Sequence, residues 1–219
     1  MKNINRYFDL TLLKLEATES DIAKLCSEAK EYDFYAVCVN SCYVPLTKEL
    51  LEGSDVKIAS VIGFPLGASS IDIKAFETEW ACSKGANEID MVIHVGALKE
   101  QRYNYVRQDI ATVVAAAMEY DAIVKVILET CMLTDEEIIK ACELSLEAGA
   151  AFVKTSTGFS KEGATAHHVV LMKKTVGNDL GVKASGGIRD LAKAREMIEA
   201  GADRIGTSAS VEVFKESEK

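Results

Sequence analysis

The sequence has two prolines, three histidines and one tryptophan in 219 residues, and no two of its six cysteines form a CxxC pair. Each scarcity excludes something. Three histidines without HxxxH spacing give a zinc site little to draw on. Cysteines 26, 38, 42, 82, 131 and 142 lack a disulfide-framework spacing and read as reduced thiols in a cytoplasmic protein. No apolar run approaches the roughly 18 residues that span a bilayer, and MKNINRYFDL lacks the apolar core of a signal peptide. There is no long basic stripe. The net charge of −9 argues against a general nucleic-acid binder, although local amides can still hold a small phosphorylated ligand. Neither GxGxxG nor a P-loop is present, so the usual nucleotide fingerprints are missing. No low-complexity segment or proline-rich linker divides the chain, and one domain over residues 1–219 is expected.

What is present is a regular alternation. Short β-type runs occur near 6–11, 35–40, 57–63, 88–95, 123–130, 151–156, 181–186 and 203–208. Between several of them lie amphipathic helical stretches such as ESDIAKLCSEAKEY, IKAFETEWACSKG, TDEEIIKACELSLEAG and LAKAREMIEAG. Three helical stretches end in KGA or AGA, with glycine suited to a cap just before the next strand. Alternating strands and helices predict a parallel sheet. An open doubly wound sheet is one solution. Eight strands without a nucleotide fingerprint fit a closed α/β barrel, the (β/α)8 TIM barrel, better.

Polar residues interrupt the strands: Asp9, Asp90, Lys125, Lys154 and Lys183. Any one of them is compatible with a solvated strand end or a buried ion pair. Five together point to the barrel lumen, because outward positions face apolar helices. Lys154 in AFVKTS and Lys183 in GVKASG are the informative pair. Neighbouring strands lie ~4.8 Å apart, which lets the two amines approach to roughly 6 Å. At an effective dielectric near 20, two charges at that distance repel by about 3 kcal/mol. Such repulsion, together with burial, favours a neutral amine, which is a nucleophile for carbonyls and forms a Schiff base. On this reading Lys154 is the nucleophile, Lys183 stays protonated beside it, and Asp90 shuttles protons directly or through water. A plain salt bridge from Asp90 to Lys183 or Lys125 is the competing role.

Glycine-bearing turns follow the last three strands: TSTG (155–158), SGG (185–187) and GTSAS (206–210). Barrels often hold phosphate with amides in these places. Arg189, just beyond SGG, either assists or lies on the surface. His167 and His168 are adjacent and are expected to point to different sides. Trp80 reads as a core residue of a barrel helix.

With those residues in view, AFVKTSTGFS and GVKASGGIR resemble the two lysine strands of the deoxyribose-phosphate aldolases. FDLTLLK, AVCVN, IGFPLGA, EIDMVIHVGAL and KVILET resemble that family's other strand motifs in the same order. The resemblance spans nearly the whole chain. It implies a class I aldolase that interconverts 2-deoxy-D-ribose 5-phosphate with D-glyceraldehyde 3-phosphate and acetaldehyde, without metal or cofactor. It also implies catalytic roles for Lys154, Lys183 and Asp90. Gly158, Gly186, Gly187, Gly206 and Ser208 match phosphate-site positions. Asp9 and Thr11 match a motif near the sugar, and Cys38 a thiol lining the pocket. Lys125 and Thr155 complete the expected substrate-binding set. A small phosphorylated sugar is the implied partner, with no membrane or nucleic acid, in a homodimer or higher homo-oligomer.

Three positions depart from many relatives: His94 stands in place of asparagine, Phe159 follows Gly158 where some carry lysine, and VEVFKESEK lacks a tyrosine-terminated tail. Two alternative functions compete with this one. The first is another Schiff-base barrel acting on a different phosphorylated aldehyde or ketone; the second is a silent barrel that only senses a sugar phosphate.

Overall fold

The computed structural model describes residues 4–218. Eight parallel strands pair in sequence order and close on themselves. They are β1 (Phe8–Leu12), β2 (Ala36–Val39), β3 (Lys57–Ile62), β4 (Glu88–Val92), β5 (Ile123–Ile127), β6 (Phe152–Lys154), β7 (Gly181–Ser185) and β8 (Arg204–Thr207). Closure is made by Phe8 against Ile205 and Asp9 against Gly206. The (β/α)8 barrel expected from the alternation is therefore the architecture found.

Local chemistry sets the helix ends. α1 (Glu19–Glu31) and α6 (Asp135–Glu147) each start with a threonine capping box, Thr18 with Asp21 and Thr134 with Glu137. Thr165 caps α7 (Ala166–Val176) and Asp190 caps α8 (Leu191–Glu199). Each such cap stabilises its helix by about 1 kcal/mol. α3 (Ile71–Lys84) ends on Gly85, which is in a left-handed conformation; Gly149 and Gly201 take the same role just beyond α6 and α8. The remaining helices are α2 (Val44–Leu50), α4 (Val95–Lys99), α5 (Tyr103–Met118) and α9 (Ser210–Ser217). Pro45 lies in the first turn of α2, where its missing N–H has no helical partner to lose. Trp80 is only partly buried, packed against the core from α3.

Outward strand residues such as Leu10, Val37, Ile89, Val126, Val153 and Val182 bury against the helices in one continuous apolar layer. Barrel lumens are usually filled by branched apolar side chains. One side of the lumen is ionic instead: Asp90 stands beside Lys125, Lys154 beside Lys183, and Lys183 beside Arg204, while Cys38, Ala59 and Val61 keep the side at β2 and β3 apolar.

Candidate active site

Seven ionisable side chains meet in the lumen: Asp9, Glu88, Asp90, Lys125, Lys154, Lys183 and Arg204, all buried. Asp90 is the hub. Its Oδ2 accepts hydrogen bonds from Lys154 at 2.7 Å and Lys183 at 2.8 Å, and its Oδ1 accepts one from Lys125 at 2.8 Å. Because both amines sit on one oxygen, their separation falls within the ~6 Å expected from strand spacing. Below the hub, Asp9 binds Lys183 at 2.5 Å and Arg204 at 2.7 Å, and Glu88 binds Lys125 at 2.5 Å. Arg204 also stacks over the Tyr35 ring, 3.5 Å from its centroid.

Burial alone pushes the Asp9 carboxyl upward, but Lys183, Lys125 and Arg204 outweigh it and hold Asp9 at about 2. In the same contest, Lys125, Lys154 and Lys183 overcome burial and hold Asp90 well below the usual carboxylate range. Burial lowers Lys183, yet Asp9 and Asp90 more than compensate, so its pKa is raised and it stays protonated. Asp9 and Asp90 are thus ionised and Lys183 cationic at neutral pH. Cys38 sits at the same level with its Sγ 3.9 Å from Asp90 Oδ2. Burial, reinforced by Asp90, pushes its thiol up to about 11, so it is neutral.

Repulsion between the two lysines is therefore not the whole electrostatic balance. A carboxylate oxygen stands between them, and its attraction acts at half the distance of the repulsion. The charge count supplies what repulsion alone does not. Four cations face three carboxylates, leaving one positive charge in excess in a buried lumen, where uncompensated charge is expensive. Lys183 and Arg204 each bind two acids, and Lys125 binds Glu88 and Asp90 closely with Asp9 at 3.8 Å. Among the described residues Lys154 has Asp90 alone, on an oxygen it shares. Of the four cations, it is the least compensated.

Lys154 also opens upward, into a cavity of about 240 Å³ at the C-terminal end of the barrel. Thr11, Gly158, Gly186, Gly187, Gly206 and Ser208 line this cavity. Lys14, Thr157, Ser185 and Thr207 line it too, and Arg189, although exposed, stands at its rim. The Ser185 hydroxyl is buried and has no partner among the described residues. The backbone N–H groups of Gly158, Gly186, Gly187 and Ser208 likewise have no partner among the described residues. Gly206 must be glycine, because a Cβ there would lie 2.3 Å from Ser185 Oγ and 2.9 Å from Lys183 Cε.

Four expected substrate-binding residues stand apart from the lining. Asp9, Cys38 and Lys125 are fully buried in the ionic floor. Thr155 straps β6 to β7, donating to the Ser185 carbonyl and accepting from the Ser185 N–H. Glu88 and Arg204 belong to the network although sequence reasoning passed over them. The available signal was Glu88 lying two residues before Asp90, on the same strand face.

The histidines also find their places. His94 caps α4, its Nδ1 accepting from the Ala97 N–H at 3.1 Å, with Tyr105 edge-on against the ring. His167 and His168 do not diverge: their rings lie 5.5 Å apart, and both turn toward Asp135. Those three residues are the one group among the described residues whose ligand atoms, all within 4.8 Å of one another, could share a metal ion. They sit at the first turns of α6 and α7, outside the cavity lining.

The chain is similar to aldolases over nearly its whole length. The family model for the DeoC/LacD family aldolases matches residues 4–216. A deoxyribose-phosphate aldolase of Clostridium novyi is 58% identical over 97% of this chain and 96% of its own length. One from Thermococcus kodakarensis is 59% identical over 98% and 96%. Among solved structures, an aldolase called QR15 superposes with a TM-score of 0.95 at 41% identity, covering 100% of this chain and 97% of that one. The tetrameric deoxyribose phosphate aldolase of Aeropyrum pernix gives 0.92 at 36% identity, over 98% and 91%. The chain belongs to the DeoC/LacD family of aldolases.

Proposed function

We propose that this single-domain barrel is a class I aldolase that reversibly cleaves 2-deoxy-D-ribose 5-phosphate to D-glyceraldehyde 3-phosphate and acetaldehyde, with Lys154 as its Schiff-base residue. One observation carries this reading: the least compensated of four buried cations is also the one that opens into the cavity. The free amine adds to the C1 aldehyde, and the carbinolamine loses water to give an iminium. Base removes the C3 hydroxyl proton, and the C2–C3 bond breaks with its electron pair flowing toward the iminium nitrogen. The break is there and not at C3–C4, since acetaldehyde retains two carbons. Protonation of the enamine at C2 and hydrolysis then release acetaldehyde and restore Lys154.

Asp90, hydrogen-bonded to Lys154 at the floor of the cavity, is the proton acceptor in the first instance, with Lys183 as its cationic support. The phosphate falls to the free amides of Gly158, Gly186, Gly187 and Ser208, with Lys14 and Arg189 at the rim. Thr11 and Ser185 face the sugar. Asp9, Lys125 and Cys38 act from the floor by fixing charge and shape, while Thr155 and Gly206 hold the wall. Six free cysteines support a reducing, cytoplasmic location. The tetrameric Aeropyrum pernix relative supports a homo-oligomer. The test is borohydride reduction with acetaldehyde present, followed by peptide mapping: an added two-carbon mass on Lys154 is expected. A mass on another residue, or none, refutes the assignment and favours another nucleophile or a silent sugar-phosphate binder.

A further inference from the structure

Glu129 is a costly residue that the chemistry above leaves unused. It is 6% exposed, and no cation pairs with its carboxylate among the described residues. Its backbone is left-handed, at φ 57° and ψ 59°, a conformation that strains any residue with a Cβ. The neighbouring ladder gives the reason. Leu128 N–H donates to the Lys154 carbonyl and Thr130 N–H to the Thr155 carbonyl, each at 2.9 Å. In a regular parallel ladder, donors two residues apart meet carbonyls two residues apart. Here the carbonyls are adjacent, so Glu129 is an inserted residue, a bulge at the level of the nucleophilic lysine. Bulges at such places re-aim a side chain.

The re-aimed carboxylate reaches the turn after β6. It accepts the Thr157 N–H at 3.3 Å on Oε1 and the Thr157 hydroxyl on Oε2. Thr157 Oγ1 in turn accepts the Phe159 N–H at 3.1 Å. Two of three successive amides are thereby engaged, and the Gly158 N–H between them stays free at the cavity. Glu129 does not itself line the cavity, so its negative charge stays off an incoming anion.

The geometry points to Glu129 as a positioning residue: through Thr157 it fixes the turn that presents the Gly158 amide to the phosphate of the substrate. This rests on the deoxyribose 5-phosphate reading, and the experiment separates the two. Glu129→Gly removes the clamp while relieving the left-handed strain; Thr157→Val removes the hydroxyl, and Thr157→Ser restores it. Glu129→Gly and Thr157→Val are expected to raise KM for deoxyribose 5-phosphate at least tenfold with kcat within threefold, the signature of lost binding shared by ground and transition states. The inhibition constant of inorganic phosphate is expected to rise by a similar factor. Amide exchange over residues 157–160 is expected to speed tenfold, and Thr157→Ser to match the wild type throughout. An unchanged KM, a fall confined to kcat, or a Thr157→Ser as impaired as Thr157→Val overturns the proposal. Should Glu129→Gly not fold, the two Thr157 variants decide by the same measures. A wild-type protein that fails to cleave deoxyribose 5-phosphate sinks the substrate reading alone, because amide exchange with and without inorganic phosphate still tests the clamp.

Discussion

Replacing Lys183 with leucine removes one cation from a lumen that holds one too many. Three cations then face three carboxylates, Asp9 and Asp90 lose the amine they share, and turnover is expected to fall at least tenfold; steady-state assays measure it, and wild-type turnover contradicts a role for Lys183 beside the nucleophile. Asp90→Asn removes the hub shared by Lys125, Lys154 and Lys183. Turnover is expected to drop about 100-fold to 10,000-fold, the range for a displaced proton-transfer group. Stability is expected to fall by about 3–5 kcal/mol, because buried cations lose their partner. Stopped assays and urea unfolding measure the two effects separately. Lys154→Leu is expected to abolish turnover without unfolding the chain, since it removes the excess charge and leaves the rest of the network paired; a variant with measurable turnover contradicts the role.

At the level of elements, the cavity wall depends on two loops in close approach. The loop after β6 meets the loop after β7 where Gly163 lies against Gly186, with the Ala164 N–H donating to the Gly186 carbonyl at 3.0 Å. A Cβ at position 163 would come 2.2 Å from the Gly186 oxygen, and backbone does not swing aside as a side chain does. Gly163→Ala is expected to displace one loop, destabilise by about 1–3 kcal/mol, and raise KM for deoxyribose 5-phosphate at least tenfold. Thermal unfolding and steady-state kinetics read the two consequences, and a variant with wild-type KM shows that the contact does not shape the phosphate end. The TSTG and SGG turns were visible in the chain as glycine-bearing segments. Their contact was not, because all of α7 and β7 separates Gly163 from Gly186 in the chain, and only barrel closure brings them together.

Across the whole molecule, the buried ionisable groups set the pH range of stability. Asp9 titrates at about 2 when folded against an ordinary 3.8, so the unfolded chain takes up protons first as pH falls. Its stabilising contribution is complete above about pH 4 and disappears as pH drops toward 2. The thiols govern the other limit. Burial raises Cys26, Cys38 and Cys82 to about 11 and Cys142 to about 12, against an ordinary 9.0. The unfolded chain loses these protons first as pH rises, so stability declines between pH 9 and 12. Urea unfolding at pH 8 and at pH 10.5 is expected to show the lower free energy at the higher pH. Cys142→Ala is expected to make that decline shallower, and an unaltered slope contradicts the thiol contribution.

The sequence by itself marked the eight strand runs, favoured the barrel and singled out the two lysines, because apolar runs, helix caps and a charge inside a buried strand are local properties. It also marked Asp90, though not as the hub of three lysines. Glu88 and Arg204 stand at strand starts, where charge is ordinarily solvated; the two-residue spacing from Asp90 put Glu88 on the inward face, and nothing local marked Arg204. Only closure of the sheet decided that seven charges share one lumen, that cations outnumber acids by one, and that Lys154 is left with half a partner. It equally decided that His167 and His168 turn together toward Asp135 and that Glu129 swings across to Thr157. Those outcomes depend on distances between segments remote in the chain, and such distances exist only once the eight strands have met.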